Sequence, residues 1–128
     1  MNVLELLRAA KDHLAARGCA SPRLDAELLL TRALECDRLD LYVSHDRPVS
    51  KEERALYREL VKRRAAGEPV AYILGEREFF GLTFEVDRRC LVPRPETEHL
   101  VDEAVSLLGG RARPRIADVG TGSGCIAI

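Results

Sequence analysis

The sequence predicts an α-helical bundle, then a β-hairpin linker, then the opening of an α/β sheet. Three observations predict it. Apolar residues recur at helical spacing up to Gly67, as in Val3, Leu7, Ala10 and Leu14. Beyond Gly67, short apolar and aromatic segments are broken by Gly75, Gly81 and Pro93. The last stretch, "IADVGTGSGCIAI", runs an apolar segment into a glycine-spaced turn, the pattern that joins a buried parallel strand to a helix.

The elements follow in order. Leu6 widens the first apolar stripe, and Gly18 is a natural helix stop. Ser21 before Pro22 reads as an N-cap with proline in the first turn. "RLDAELLLTRALE" is apolar around much of its circumference, as suits a central helix. "RLDLYVSH" forms one short helix or a turn. Ser50 and Glu53 make a capping box, and Gly67 is the matching stop; Leu56, Tyr57, Leu60, Val61 and Ala65 give that helix its stripe. Phe79, Phe80, Leu82 and Phe84 around Gly81 predict a β-hairpin. A helix returns in "RPETEHLVDEAVSLLGG", with Thr97 helping to cap it and Gly109-Gly110 ending it. "ARPRIADV" then reads as a buried parallel strand. The expected organisation is a helical domain over 1–67, a hairpin linker over 68–93, and the beginning of an α/β domain over 94–128.

Composition narrows the function. Of 128 residues, 46% are hydrophobic and 32% charged, which suits a globular protein and excludes a disordered tail. A net charge of −1 gives no global field toward nucleic acid or an anionic membrane. No apolar run approaches the ~20 residues of a membrane span. The start, "MNVLELLRAAKDHL", carries charges every few residues and lacks a secretory core, so a cytoplasmic location is expected. Cys19, Cys36, Cys90 and Cys125 lie far apart with no metal spacing, so free thiols and no bound metal are expected. His13, His45 and His99 are isolated from one another and from cysteine.

The glycine turn is the candidate binding element. Glycines let the backbone turn sharply and a ligand approach closely, and a helix start offers free N–H groups. A dinucleotide needs G-x-G-x-x-G/A. Gly120, Gly122 and Cys125 fail at the third position, whereas Gly122, Gly124 and Ala127 pass but strand "GT" before the turn. S-adenosylmethionine sites use an acidic residue near the strand end and then alternating glycines. Asp118, Gly120, Gly122 and Gly124 fit that pattern without a gap, and a carboxylate is favourable beside the donor's cationic groups. A nucleotide site and a turn that binds nothing remain alternative readings of these residues.

Two further segments narrow the choice. "GEPVAYILGEREFFGL" and "LVPRPETE", together with "DVGTGSG", closely resemble the HemK/PrmC family of release factor glutamine N5-methyltransferases, over about Ser21 to Ile128. The resemblance implies a helical substrate-recognition domain followed by a Rossmann-like S-adenosylmethionine-dependent domain. It implies that Asp118, Gly120, Thr121, Gly122, Ser123 and Gly124 line the donor pocket. It implies methyl transfer to the glutamine of the Gly-Gly-Gln motif of peptide-chain release factors, in translation termination. The family's Asn-Pro-Pro-Tyr motif, which orients the glutamine amide, is absent from this sequence. It and the ribose-holding residue are expected beyond Ile128, so no catalytic residue is expected within the chain and the chain alone is expected to be inactive. A release-factor-binding helical module without activity and an NAD-type enzyme are the alternatives. No direct nucleic-acid contact is expected, and the protein is expected to be a monomer.

Arg94, Pro95, Glu96 and Glu98 are candidates to line the donor or glutamine pocket. The competing reading is a rigid helix entry, with prolines fixing the backbone and acids favourable in the first turn. "KRR", Lys62 to Arg64, reads as a solvated face or as a contact for an acidic partner surface. Phe79, Phe80 and Phe84 read as hairpin core, and Cys125 as a packed small residue.

Overall fold

A computed structural model describes residues 1–128, which form two compact units, Met1–Leu74 and Gly75–Ile128. The first unit is all helical: α1 (Val3–Ala16), α2 (Pro22–Leu34), α3 (Arg38–Val43), α4 (Lys51–Ala65) and α5 (Val70–Leu74).

Local chemistry sets most of these boundaries. At α1, Asn2 Oδ1 accepts the Glu5 amide and Glu5 Oε2 accepts the Asn2 amide, both at 2.9 Å. The next amides of α1, from Val3 and Leu4, donate to the Arg47 and His45 carbonyls at 3.1 and 3.0 Å. Orphan donors of the first turn are therefore satisfied by the loop that precedes α4. Ser50 and Glu53 form the expected capping box of α4, and Gly67 follows that helix at φ +101°. Ser21 occupies the N-cap of α2 with Pro22 behind it, but its side chain makes no capping bond. α2 ends without glycine. Glu35 takes a left-handed φ of +50°, and the amides of Glu35 and Cys36 both return to the Thr31 carbonyl.

"VAYIL" is helical and belongs to the bundle, so the first unit runs to Leu74, beyond the boundary expected at Gly67. The Tyr72 and Ile73 amides donate to the Pro69 carbonyl, which starts the turn. Its aliphatic side chains then join the core, where Ile73 is buried and Val70 and Leu74 pack against it.

The core interleaves Val3, Leu6, Ala10 and Leu14 of α1 with Ala26, Leu29, Leu30 and Ala33 of α2 and Tyr57, Leu60 and Val61 of α4. Leu14, Leu29 and Leu30 are wholly inaccessible. Each such side chain contributes roughly 1.5–3 kcal/mol by leaving water. Leu56, expected in the α4 stripe, is 47% exposed instead, because α4 turns Tyr57, Leu60 and Val61 inward.

Two carboxylates are buried among these leucines. Asp25 accepts Arg64 Nε at 2.8 Å, tying the start of α2 to the end of α4. Glu27 accepts Arg38 Nη2 at 2.6 Å, Tyr42 Oη at 2.7 Å and Arg23 Nε at 3.1 Å. Burial alone would push its carboxyl pKa up. The donors Tyr42, Arg38 and Arg23 outweigh that and hold it below the usual carboxylate range. The "KRR" cluster is not one face either: Lys62 pairs with Glu59, Arg63 with Glu68, and Arg64 with Asp25.

The second unit opens with the expected hairpin, β1 (Glu76–Phe79) antiparallel to β2 (Leu82–Glu85), with Phe79 opposite Leu82. Phe80 and Gly81 both have positive φ, +50° and +76°, the pattern of a two-residue type I′ turn. Phe79 and Phe84 pack edge to face at 6.3 Å, and both are buried. Phe80 is not core: it is 47% exposed at the turn. A short 3₁₀ turn (Pro95–Thr97) leads into α6 (Glu98–Leu108). Thr97 occupies the N-cap position but its side chain makes no capping bond.

The strand expected at "RIADV" does not form in this chain, and no α/β sheet is present. Ile116 and Val119 are 69% and 95% exposed. None of the amides from Ile116 to Val119 finds a backbone acceptor. A strand is held by a ladder partner, and the only two strands here pair with each other.

Two measurements check this description. The Tyr57 hydroxyl donates to the Ala26 carbonyl at 3.0 Å, and burial raises its pKa well above the ordinary value. The stability it contributes is full below the unfolded pKa of about 10 and is lost as pH rises toward the folded value. Tyr57→Phe costs roughly 0.5–1.5 kcal/mol at neutral pH. Denaturant titrations should show that deficit shrinking by about 1 kcal/mol between about pH 8 and pH 11. In hydrogen exchange, the amides of Ile116 to Val119 should exchange almost unprotected, while those of Leu28 to Leu30 follow global unfolding. Equal protection would mean that the tail has a ladder partner.

Candidate functional site

The glycine turn is built by backbone torsion. Gly120, Gly122 and Gly124 all sit in the left-handed region, at φ +73°, +59° and +81°. Residues with a Cβ adopt that region at a cost of about 1–2 kcal/mol, so the glycine spacing in the sequence is the spacing of the left-handed positions. The Gly124 amide donates to the Thr121 carbonyl at 3.0 Å and closes the turn. Thr121 Oγ1 donates to Asp118 Oδ2 at 2.9 Å, which fixes the carboxylate at the entry of the turn.

Space matters as much as torsion. A Cβ built on Gly120 or Gly122 would meet nothing within 4 Å. The glycines are therefore required by φ and leave the surface of the turn open. Gly120, Thr121 and Gly122 are exposed, and Asp118, Ser123, Gly124 and Cys125 are half-buried. An exposed backbone without side chains, next to one oriented carboxylate, suits a small ligand that needs close approach and carries a positive group.

The second set of candidates has a different arrangement. Pro93 is buried and anchors the segment, while Arg94, Pro95 and Glu96 are exposed around the 3₁₀ turn. Glu98 is half-buried and occupied: its Oε1 accepts the Phe80 amide at 2.7 Å. This charge-assisted bond pins the hairpin turn at its most strained residue, since a bulky aromatic at positive φ is unfavourable. A Glu eighteen positions after a turn residue gives no sequence signal of that contact.

Sequence reading missed one concave feature altogether. α1 and α4 enclose a groove of ≈ 580 Å³ with an apolar floor and a basic rim. The signal was present but split between two helices: alanines at the edges of the α1 and α4 stripes, and unpaired cations beside them.

Comparison with known proteins relates the chain to a family. The family model described as the PrmC N-terminal domain matches residues 5–75. That range closely matches the helical unit. A release factor glutamine methyltransferase of Rhodopirellula baltica is 48% identical over 98% of this chain and 44% of its own length. One of Nitratidesulfovibrio vulgaris is 52% identical over 96% of the chain and 41% of its own length. One of Koribacter versatilis is 46% identical over 99% of the chain and 45% of its own length. The chain thus spans less than half the length of the curated relatives it matches. With the model covering more than half of its residues, the chain belongs to the PrmC N-terminal domain family.

Proposed function

We propose that the protein carrying this chain is an S-adenosylmethionine-dependent protein-(glutamine-N5) methyltransferase that modifies the Gly-Gly-Gln glutamine of peptide-chain release factors. One observation carries the proposal. Identity of 46–52% to relatives named release factor glutamine methyltransferase extends over 96–99% of the chain, and so beyond the helical unit.

The chain's own residues have defined parts in this reading. The donor supplies an electrophilic methyl group on a sulfonium centre. Gly120, Gly122 and Gly124 let the backbone lie directly against it, with their torsions already set. The Asp118 carboxylate, held by Thr121, compensates positive charge on the donor. Ser123 adds a hydroxyl to the same turn. Arg94, Pro95 and Glu96 present an exposed, proline-stiffened edge to the substrate side, while Glu98 holds the hairpin turn that precedes it. The glutamine nitrogen is a weak nucleophile because its lone pair is delocalised. Its activation rests on positioning, which at the limit lowers a barrier by roughly 7–11 kcal/mol. The groups that orient it are assigned to the part of the relatives that this chain does not span.

The test is transfer of a radiolabelled methyl group to purified release factor. A protein that joins this chain to a family catalytic part should label the Gly-Gly-Gln glutamine, and the 128-residue chain alone should not. Labelling of another residue or of nucleic acid would overturn the substrate assignment. The donor assignment has its own check. In the joined protein, Gly122→Val puts a β-branched residue at φ +59° and should weaken S-adenosylmethionine binding at least tenfold by calorimetry, about 1.4 kcal/mol. Gly110→Ala, at an unstrained and open position, should leave affinity unchanged. Undiminished binding by a folded Gly122→Val protein would remove this turn from the pocket.

A further inference from the structure

The groove between α1 and α4 belongs wholly to the helical unit and contains no residue of the glycine turn. Its α1 wall presents Leu6, Ala9, Ala10 and His13, which share one face at helical spacing. Its α4 wall presents Lys51, Arg54, Ala55, Arg58 and Val61, again one face. Leu6, Ala10 and Val61 are buried and form the floor, while Ala9 and Ala55 are exposed. Small residues on both facing helices leave a trough, where larger ones would have closed it.

The rim is charged with one sign. Lys51 and Arg58 have no ion-pair partner, although almost every other cation of α4 does: Lys62 with Glu59, Arg63 with Glu68, Arg64 with Asp25. Arg54 Nε donates only to the Ser50 carbonyl, at 3.4 Å, and leaves its charge uncompensated. Of the cations that line this face, Lys51, Arg54 and Arg58 are thus ones the fold does not pair, while Lys62 at its end is held by Glu59. From Lys51 to Lys62 the rim runs roughly 16 Å, at 1.5 Å per residue, or about three helical turns.

We propose that this groove docks an acidic amphipathic helix of a partner protein. Its apolar stripe would lie on Leu6, Ala10 and Val61, and its flanking carboxylates would meet Lys51, Arg54 and Arg58. The mode is helix-in-groove, in which apolar anchors at i, i+3/i+4 and i+7 supply affinity and complementary charge supplies orientation and encounter rate. A single-stranded nucleic acid fits the groove less well. Bases need an exposed aromatic platform, and the one Phe, Tyr or Trp among the lining residues, Tyr57, is 3% exposed with its hydroxyl given to Ala26, which leaves only the small ring of His13. The proposal stands on the groove alone and does not depend on the methyl-transfer reading.

Fluorescence anisotropy on the 128-residue chain tests it. The probe is a fluorescein-labelled peptide of about four turns, with leucines at i, i+3, i+4 and i+7 and glutamates on the flanks. Its controls are the same peptide with lysine for glutamate and a labelled single-stranded RNA of similar charge. The acidic peptide should bind in the micromolar range, about −8 kcal/mol, and more weakly as salt rises. The double variant Arg54→Glu/Arg58→Glu should weaken it at least tenfold. Ala55→Trp, at an exposed position that fills the trough, should do the same with an unchanged thermal transition. No binding of the acidic peptide, equal binding of the lysine peptide, RNA binding in its place, or full affinity in either variant would overturn the proposal.

Discussion

The bundle depends on α2 burying two carboxylates in the same surface as its leucines. Asp25 and Glu27 are 8% and 4% exposed, while Leu29 and Leu30 are wholly enclosed. An unpaired carboxylate in such a place costs several kcal/mol, so each must be met by donors. Asp25 is met by Arg64, which fixes the end of α4 against the start of α2. Glu27 is met by Arg23 of its own helix and by Arg38 and Tyr42, which fixes α3. Leucine packing tolerates sliding and rotation, whereas these bonds do so far less. They set the rotation of α2, and with it which face of α4 is turned inward and which is left to form the groove with α1.

The same accounting separates structural from available charge. The charged residues of "KRR", read as a cluster, each have a different partner: Glu59 and Glu68 nearby for Lys62 and Arg63, and the distant Asp25 for Arg64. Lys51, Arg54 and Arg58 precede them on α4 and have no carboxylate. In the second unit Glu98 is a structural acid, spent on the Phe80 amide, while Glu96 two residues earlier is exposed. The strain at Phe80 and the bond that offsets it lie on one short contact. The hairpin turn therefore depends on the start of α6 as well as on its own sequence.

α6 and the tail are the reverse case. α6 is amphipathic, yet Leu100 and Val105 are 56% and 62% exposed and none of its residues is buried. The apolar residues of the following run, Ile116, Ala117 and Val119, are exposed as well. These are sequences patterned for burial, in a chain that offers them nothing to be buried against. The glycine turn differs because it depends on torsion and on bonds within the turn itself, and its three glycines hold their left-handed positions without a sheet below them.

That contrast divides what was legible. The sequence by itself determined the features that act within a few residues: the capping box at Ser50 and Glu53, the stop at Gly67, the hairpin around Gly81 and the left-handed glycines of the turn. Each is a local backbone preference. It also carried enough motif, in "GEPVAYILGEREFFGL" and "LVPRPETE" together with "DVGTGSG", to indicate the family. Tertiary structure alone decided the rest. α5 is helical because its aliphatic residues meet the bundle core, and α2 stops at the non-glycine Glu35 because the chain must turn into α3. Arg64 reaches across thirty-nine positions to Asp25, and Glu98 across eighteen to Phe80. A strand at Ile116 to Val119 is a pattern in sequence but a ladder in space. Without a second strand beside it the backbone bonds that define a strand have no acceptor, however apolar the residues are.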